Sequence, residues 1–340
     1  MCSARGGSAL AANSEWTVDA IPDLSGKTAV VTGSNTGLGF ETAQMLAAHG
    51  ALVVMACRNQ SKAVGAAERI RTSIPSAKLQ VVALDLSSLE SVRAAAESVR
   101  SQCDRIDLLI NNAGTANVRR EVSPDGFELT LAANHLGPFA FTGLLLDRVI
   151  STPGARIITV SSRSHARGVV AFDDLHFTRR PYTLAAAYAQ SKLAGLLFTH
   201  ELHRRLAGTD TIAAAAHPGT ATTDFAKNMS RPVRIISDVA QKLAALATLP
   251  GREPLTMGVN TAAQGALTTL RAAADPSVRG GEFYGPHRGA KGHPVRVEPA
   301  PHTLDETAQR RLWSESERLT GVRYPAGADK AMNSPEIRPE

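Results

Sequence analysis

Apolar strand-length runs alternate with helical stretches over most of the first 216 residues: 28–32 then 38–49, 51–56 then 61–72, 79–84 then 88–101, 106–110 then 126–150, 155–160 then 185–207, and finally 211–216. Few architectures accept that order. Strands separated by helices pair in parallel through crossovers, and repeating the unit gives a parallel sheet covered by helices on both faces. The expectation is an α/β, doubly wound parallel sheet in a single domain, with ligands at the carboxyl ends of its strands. The domain is expected to span 25–321, flanked by a flexible extension over 1–24 and a loose tail over 322–340 that is rich in Pro, Ala and charge. Apolar residues at 43% and charged residues at 20% suit a packed core of that size.

The first unit carries three glycines. Thr28-Ala-Val-Val-Thr-Gly33-Ser-Asn-Thr-Gly37-Leu-Gly39 reads as strand, tight turn and helix start, which aims turn amides and a helix N-terminus at an anion such as a pyrophosphate. Alone, such a loop is a structural turn about as often as a nucleotide site. The next strand, Ala51-Leu-Val-Val-Met-Ala56, supplies context, because its tip is where a Rossmann-type sheet reads the adenosine ribose. That tip holds Cys57, Arg58 and Asn59 and no carboxylate. An acidic residue would bond a free 2′-hydroxyl and repel a phosphate, whereas Arg58 pairs with a 2′-phosphate, so NADP(H) is favoured over NAD(H). Gly33, Asn35, Thr36, Gly37, Leu38, Gly39, Arg58 and Asn59 are the cofactor candidates here. The plain alternative for Arg58 is a solvated charge opening the next helix.

Tyr188-Ala-Gln-Ser-Lys192 lies 26 residues beyond Ser162, which ends the run Ile157-Ile-Thr-Val-Ser-Ser162. On a helix, positions four apart share a face, so the Tyr188 phenol and the Lys192 ammonium project together. A neighbouring cation is expected to lower the phenol's pKa, and a Ser at a strand end orients a carbonyl or alcohol oxygen while the phenol exchanges its proton. A lone Tyr-x-x-x-Lys carries little weight; the glycine loop upstream gives it meaning.

Over residues of about 25–290 the chain resembles the short-chain dehydrogenases/reductases. The likeness rests on Thr32-Gly33-x-x-x-Gly37-x-Gly39, Asp85-Leu86, Asn111-Asn112-Ala113-Gly114, Asn134, Ser162, Tyr188-x-x-x-Lys192 and Pro218-Gly219-x-x-x-Thr223, in that order. It implies that Asp85 and Leu86 flank the adenine, that Asn112, Ala113 and Gly114 lie along the cofactor, and that Pro218, Gly219, Thr220 and Thr223 close over its nicotinamide and phosphate side. It further implies a catalytic set of Asn134, Ser162, Tyr188 and Lys192, with Asn134 holding a water in a relay to Lys192 and Lys192 also holding the ribose. Ser34-Asn35-Thr36-Gly37, Ala56-Cys57-Arg58, Asp125-Gly126-Phe127-Glu128, Asn134-His135-Leu136-Gly137, His217-Pro218-Gly219 and the long Ser162 to Tyr188 separation are similar to the retinol-dehydrogenase and protochlorophyllide-reductase-like branch. The implied activity is NADPH-dependent interconversion of a ketone or aldehyde and an alcohol on a lipophilic small molecule. Reduction of a ring carbon–carbon double bond and non-catalytic NADP(H) sensing are the rivals.

Other classes find less support. The net charge of +6 comes without a long basic run or aromatic-basic interleaving, so no nucleic-acid partner is expected. Three cysteines and ten histidines show no metal-ligand spacing, so no metal is expected and a reducing cytoplasm fits. No signal peptide or transmembrane anchor is expected, and 29 arginines among 37 basic residues point to a bacterial source. His135, His165 and His217 read as packing or surface residues. Beyond Thr223, apolar residues recur at helical spacing from Val233 to Ala247, within a stretch of about 224–258 that the resemblance makes a substrate flap and the pattern alone makes a core cover. Phe172 and Phe177, with Phe225 and Met229, are candidates for an apolar pocket wall. The resemblance allows a homodimer or homotetramer paired through 127–150 and 185–207.

Overall fold

β1 (Thr28–Thr32) is buried at every position, as a central strand covered on both faces must be. It lies between β2 (Leu52–Cys57) and β4 (Leu108–Asn111), with Val30 in register with Val54 and Leu109. Across the sheet the order is β3 (Lys78–Ala83), β2, β1, β4, β5 (Arg156–Val160), β6 (Ile212–Ala216), β7 (Phe283–Pro286) and β8 (Pro294–Arg296). All are parallel except β8, which returns antiparallel on β7. The order reverses between β1 and β4, and a crevice opens there at the carboxyl ends. The structure is a computed structural model, and it describes residues 15–220 and 260–324. Thr223, the 224–258 stretch and the Val233–Ala247 pattern lie outside the described residues.

Two apolar layers enclose the sheet. α1 (Gly37–Ala48), α2 (Gln60–Ser73) and α7 (Ala262–Ala274) cover one face, while α3 (Leu89–Gln102), α5 (Gly137–Ile150) and α6 (Leu184–Arg205) cover the other. In α3, Val92, Ala95, Ala96 and Val99 are buried at three- and four-residue steps, and Ser88 caps the start by accepting from the Ser91 amide at 3.3 Å. The expected strands and helices are present to within a few residues. α7, β7, β8 and α8 (Glu306–Thr320) add to them.

The stretch expected as one helix over 126–150 is divided. The Glu128 carboxylate accepts from the amides of Thr130 and Leu131 at 2.8 and 2.7 Å, starting a short α4 (Leu129–Leu131). A π turn over Ala132–Leu136 follows before α5. Together Leu129–Ile150 make 22 residues whose most apolar stretch has a mean hydropathy of 1.3, a membrane-spanning length and composition, yet 78% of that stretch is buried inside the protein as a core helix.

Both domain boundaries move outward. Trp16, Ile21 and Leu24 are buried in the α1 layer, so 15–24 packs with the domain rather than extending from it. Val322 and Tyr324 are buried as well, and the Tyr324 hydroxyl donates to the Phe139 carbonyl at 2.7 Å, so the domain continues past 321. α8 lies against α6 and α5, the helices that the resemblance assigns to subunit pairing.

Candidate active site

A cleft of about 1480 Å³ opens over the crevice between β1 and β4. Gly33, Asn35, Thr36, Gly37, Leu38, Gly39, Arg58, Asn59, Asp85, Leu86, Asn112, Ala113, Gly114, Ser162, Tyr188, Lys192, Pro218, Gly219 and Thr220 all line it. Tertiary folding thus gathers every expected site residue except two: Thr223, outside the described residues, and Asn134, which sits behind the wall.

The glycine loop has its shape for two steric reasons. Gly33 adopts φ 65°, a left-handed conformation that a side chain resists. A Cβ on Gly39 would stand 2.4 Å from both Asn112 Nδ2 and the Gly33 carbonyl oxygen, so the helix start can approach β4 only as glycine. Asn112 secures this contact by donating from Nδ2 to the Thr32 carbonyl at 2.8 Å, while Thr32 Oγ1 accepts from the amides of Asn112 and Ala113 at 3.0 Å. The Thr36 side chain does not cap α1, which leaves first-turn amides to serve an anion. At the β2 tip Arg58 and Asn59 are exposed and Lys62 joins them in the lining, with Asn59 Oδ1 accepting from the Lys62 amide at 2.9 Å. The Asp85 carboxylate accepts from the Ser87 amide and hydroxyl at 2.9 and 2.6 Å, fixing the loop after β3.

At the other end, α6 presents the reactive pair. Thr183 caps the helix by accepting from the Ala186 amide at 3.1 Å, so Tyr188 and Lys192 fall on one face in the first turns. Lys192 Nζ donates to the Val160 carbonyl at the end of β5 at 2.9 Å and stands 5.6 Å from the Tyr188 ring centre. Ser162 leaves β5 in an extended conformation, accepts from the Ser164 amide at 3.2 Å and shares a hydrogen bond with the Tyr188 hydroxyl. Asn134 sits in the π turn with its carboxamide engaged three ways: Oδ1 accepts from the Thr115 amide at 2.7 Å, and Nδ2 donates to the Thr115 carbonyl at 2.8 Å and to Ser191 Oγ at 2.9 Å. A Cβ on Gly114 would lie 3.2 Å from Lys192 Nζ and 3.3 Å from Asn134 Oδ1, so the backbone at Gly114 passes close to both groups.

Residues 27–233 match the family model described as short chain dehydrogenase. The chain belongs to the short-chain dehydrogenase family. It is 38% identical over 309 residues to human retinol dehydrogenase 13, covering 91% of this chain and 89% of that protein. It is 36% identical to human WW domain-containing oxidoreductase over 87% of this chain and 69% of that one. A crystal structure of a putative uncharacterized protein from Mycobacterium Paratuberculosis superposes with a TM-score of 0.74 at 37% identity, over 92% of this chain and all of that one. These likenesses make the protein an oxidoreductase of the retinol-dehydrogenase-like branch.

In this short-chain dehydrogenase, burial decides the electrostatics. The expected depression of the phenol is not found: burial pushes Tyr188 up to about 12, against a smaller downward effect of the Ser162 hydrogen bond. Burial also pulls the Lys192 ammonium down to about 8. At neutral pH the phenol therefore keeps its proton and the lysine remains mostly charged, the state that suits proton donation.

His165 and His217 are buried packing residues, and each also holds a turn beside the site of this dehydrogenase through hydrogen bonds that the sequence did not reveal. His165 Nδ1 lies 2.6 Å from the Ser162 carbonyl, and its Nε2 accepts from the Ala300 amide at 3.2 Å, so the neutral ring donates on one side and accepts on the other. His217 Nδ1 accepts from the Gly219 amide at 3.1 Å, and both rings pack on Phe283. Phe172 and Phe177 do not form a pocket wall. Phe177 is buried against Tyr182 and Arg180, and Phe172 lies under Arg311 of α8.

Proposed function

We propose that this short-chain dehydrogenase is an NADP(H)-dependent enzyme that interconverts a ketone or aldehyde and an alcohol on a small molecule. The observation that carries the reading is the convergence of Ser162, Tyr188 and Lys192 at one end of a cleft whose other end is lined by the glycine loop and by Arg58 and Lys62 without a ribose-reading carboxylate. The first-turn amides of α1, which take no side-chain cap from Thr36, suit a pyrophosphate, and two exposed cations, Arg58 and Lys62, suit a 2′-phosphate. Bound there, NADP(H) supplies the hydride for the carbonyl carbon. Ser162 donates a hydrogen bond to the substrate oxygen, and the protonated Tyr188 donates its proton to it as negative charge develops. Lys192 holds a positive charge behind the phenol, stabilising the phenolate that donation leaves. Asn134 holds the Thr115 backbone and Ser191, and so fixes the wall against which Lys192 rests. The relationship to retinol dehydrogenases supports a substrate with an apolar body.

Following NADPH oxidation with ketones and aldehydes, and identifying the products, tests the reading. Tyr188→Phe should lower kcat by ~10²–10⁴ with NADPH affinity nearly unchanged. Arg58→Ala should weaken NADPH by ~1.5–3 kcal/mol and NADH very little. Near-normal turnover in Tyr188→Phe would sink the proton-donor role, and equal losses for the two cofactors would remove Arg58 from the 2′-phosphate.

A further inference from the structure

Arginine is abundant in this chain, and most of its guanidiniums are engaged. Arg100 pairs with Asp147, Arg105 with Asp107, Arg271 with Asp275 and Arg318 with Glu315, and others donate to backbone carbonyls or lie over aromatic rings. Arg119, Arg163 and Arg167 differ. All three are exposed and line the cleft, and among the described residues their side chains make no hydrogen bond or ion pair.

Two of them adjoin the reactive end. Arg163 directly follows Ser162, and Arg167 closes the same 3-10 turn, Arg163–Arg167, that leaves β5. Arg163 also adds to the downward pull on His217, a pull due first to burial, which places its charge near the His217-Pro218-Gly219 turn. Arg119 comes from the loop after β4, a few residues past Thr115, which Asn134 anchors. Glu121 is the carboxylate that this loop adds to the lining, against three guanidiniums, so this part of the lining is net positive. A cleft lined by one sign of charge concentrates ions of the other sign, and a guanidinium without a protein partner keeps its planar donor fork available for a carboxylate or phosphate.

We propose that Arg119, Arg163 and Arg167 receive an anionic group, a carboxylate or phosphate, borne by the substrate a short distance from its carbonyl. The inference rests on the oxidoreductase reading and narrows it: the preferred substrate has an apolar body and a charged end, unlike a wholly apolar alcohol. Catalysis itself is assigned to Ser162, Tyr188 and Lys192. The three arginines select and orient.

The test compares oxo carboxylic acids of increasing chain length with their methyl esters, using the full-length protein and NADPH. In at least one member the acid should exceed its ester in kcat/KM by tenfold or more at low ionic strength. Added potassium chloride should erode that ratio, since exposed charges are screened within about 10 Å at 0.1 M salt. In Arg163→Gln/Arg167→Gln the ratio should fall toward one. Esters matching or exceeding acids throughout the series would overturn the proposal, as would an acid preference that survives the double variant. A double variant that loses NADPH affinity while keeping the acid preference overturns it too, and assigns these guanidiniums to the cofactor. If neither acids nor esters are reduced, the oxidoreductase reading fails separately. Calorimetric titration of the same oxo acids then judges the rim: binding lost in the double variant supports it, and no binding to the parent protein refutes it.

Discussion

Lys192 holds its ammonium where the surroundings disfavour charge. The residue is buried at 6% exposure, its Nζ has one backbone carbonyl at 2.9 Å, and burial lowers its pKa to about 8. In the unfolded chain the group titrates near 10.4. The folded value is the lower one, so the unfolded chain binds the proton more tightly, and stability attributable to Lys192 rises with pH from about 8 to 10.4. At neutral pH the charged form opposes folding, on the order of 3 kcal/mol before relaxation. Lys192→Met should therefore keep or raise the thermal midpoint while removing most turnover and weakening the cofactor. A midpoint well below the parent's in differential scanning calorimetry would count against this account. Wild-type reduction should decline as pH rises through about 8, where Lys192 loses its charge. The shared face of Tyr188 and Lys192 was legible from a four-residue spacing. The direction of the phenol's shift was not, because it depends on how deeply the hydroxyl is buried and not on which residue is its neighbour.

α8 shows why some elements escaped a reading by apolar period. Its inward positions Gln309, Leu312, Trp313, Ser316 and Thr320 keep helical spacing, but only two of them are apolar. The polar ones are buried because they find partners. Gln309 Nε2 donates to the Thr303 carbonyl at 2.8 Å, and Ser316 Oγ lies 2.7 Å from His135 Nε2. Trp313 fastens the helix, with ring centres 5.1 Å from Phe139, 5.9 Å from Phe198 and 4.4 Å from Tyr324. Trp313→Ala should cost ~3–5 kcal/mol in urea unfolding, the range for truncating a buried aromatic. A loss under ~1 kcal/mol would mean that the site collapses around the cavity or that the cluster contributes little. The central helices and the glycine turn announced themselves because their signals are local: alternation, apolar runs and Gly spacing. α8 and the short β7 and β8 depend on contacts with segments far away in the chain.

Across the whole molecule, buried imidazoles make the fold sensitive to acid. Burial lowers His135 to about 3 and His200 and His217 to about 4, while in an unfolded chain each titrates near 6.5. Because the folded values are depressed, the stability these groups contribute is present above about pH 6.5 and is lost as pH falls toward 4. With three protons taken up on unfolding, the slope near pH 5 is roughly 4 kcal/mol per pH unit, large against a typical total of about 5–15 kcal/mol. Urea unfolding at pH 7 and at pH 5.5 should show a marked drop in midpoint, and equal midpoints would contradict the burial of these rings. By itself the sequence determined the order of strands and helices, the glycine turn at the first crossover and the Tyr188–Lys192 face. All of these follow from backbone geometry within a few residues. Tertiary structure alone decided that Ser162, Pro218 and the glycine loop share one cleft, that Asn134 stands behind its wall, that Arg119 joins Arg163 and Arg167 in the cleft lining, and that the phenol keeps its proton. Proximity across the sheet and desolvation are properties of surfaces brought together from distant parts of the chain, and no local pattern records them.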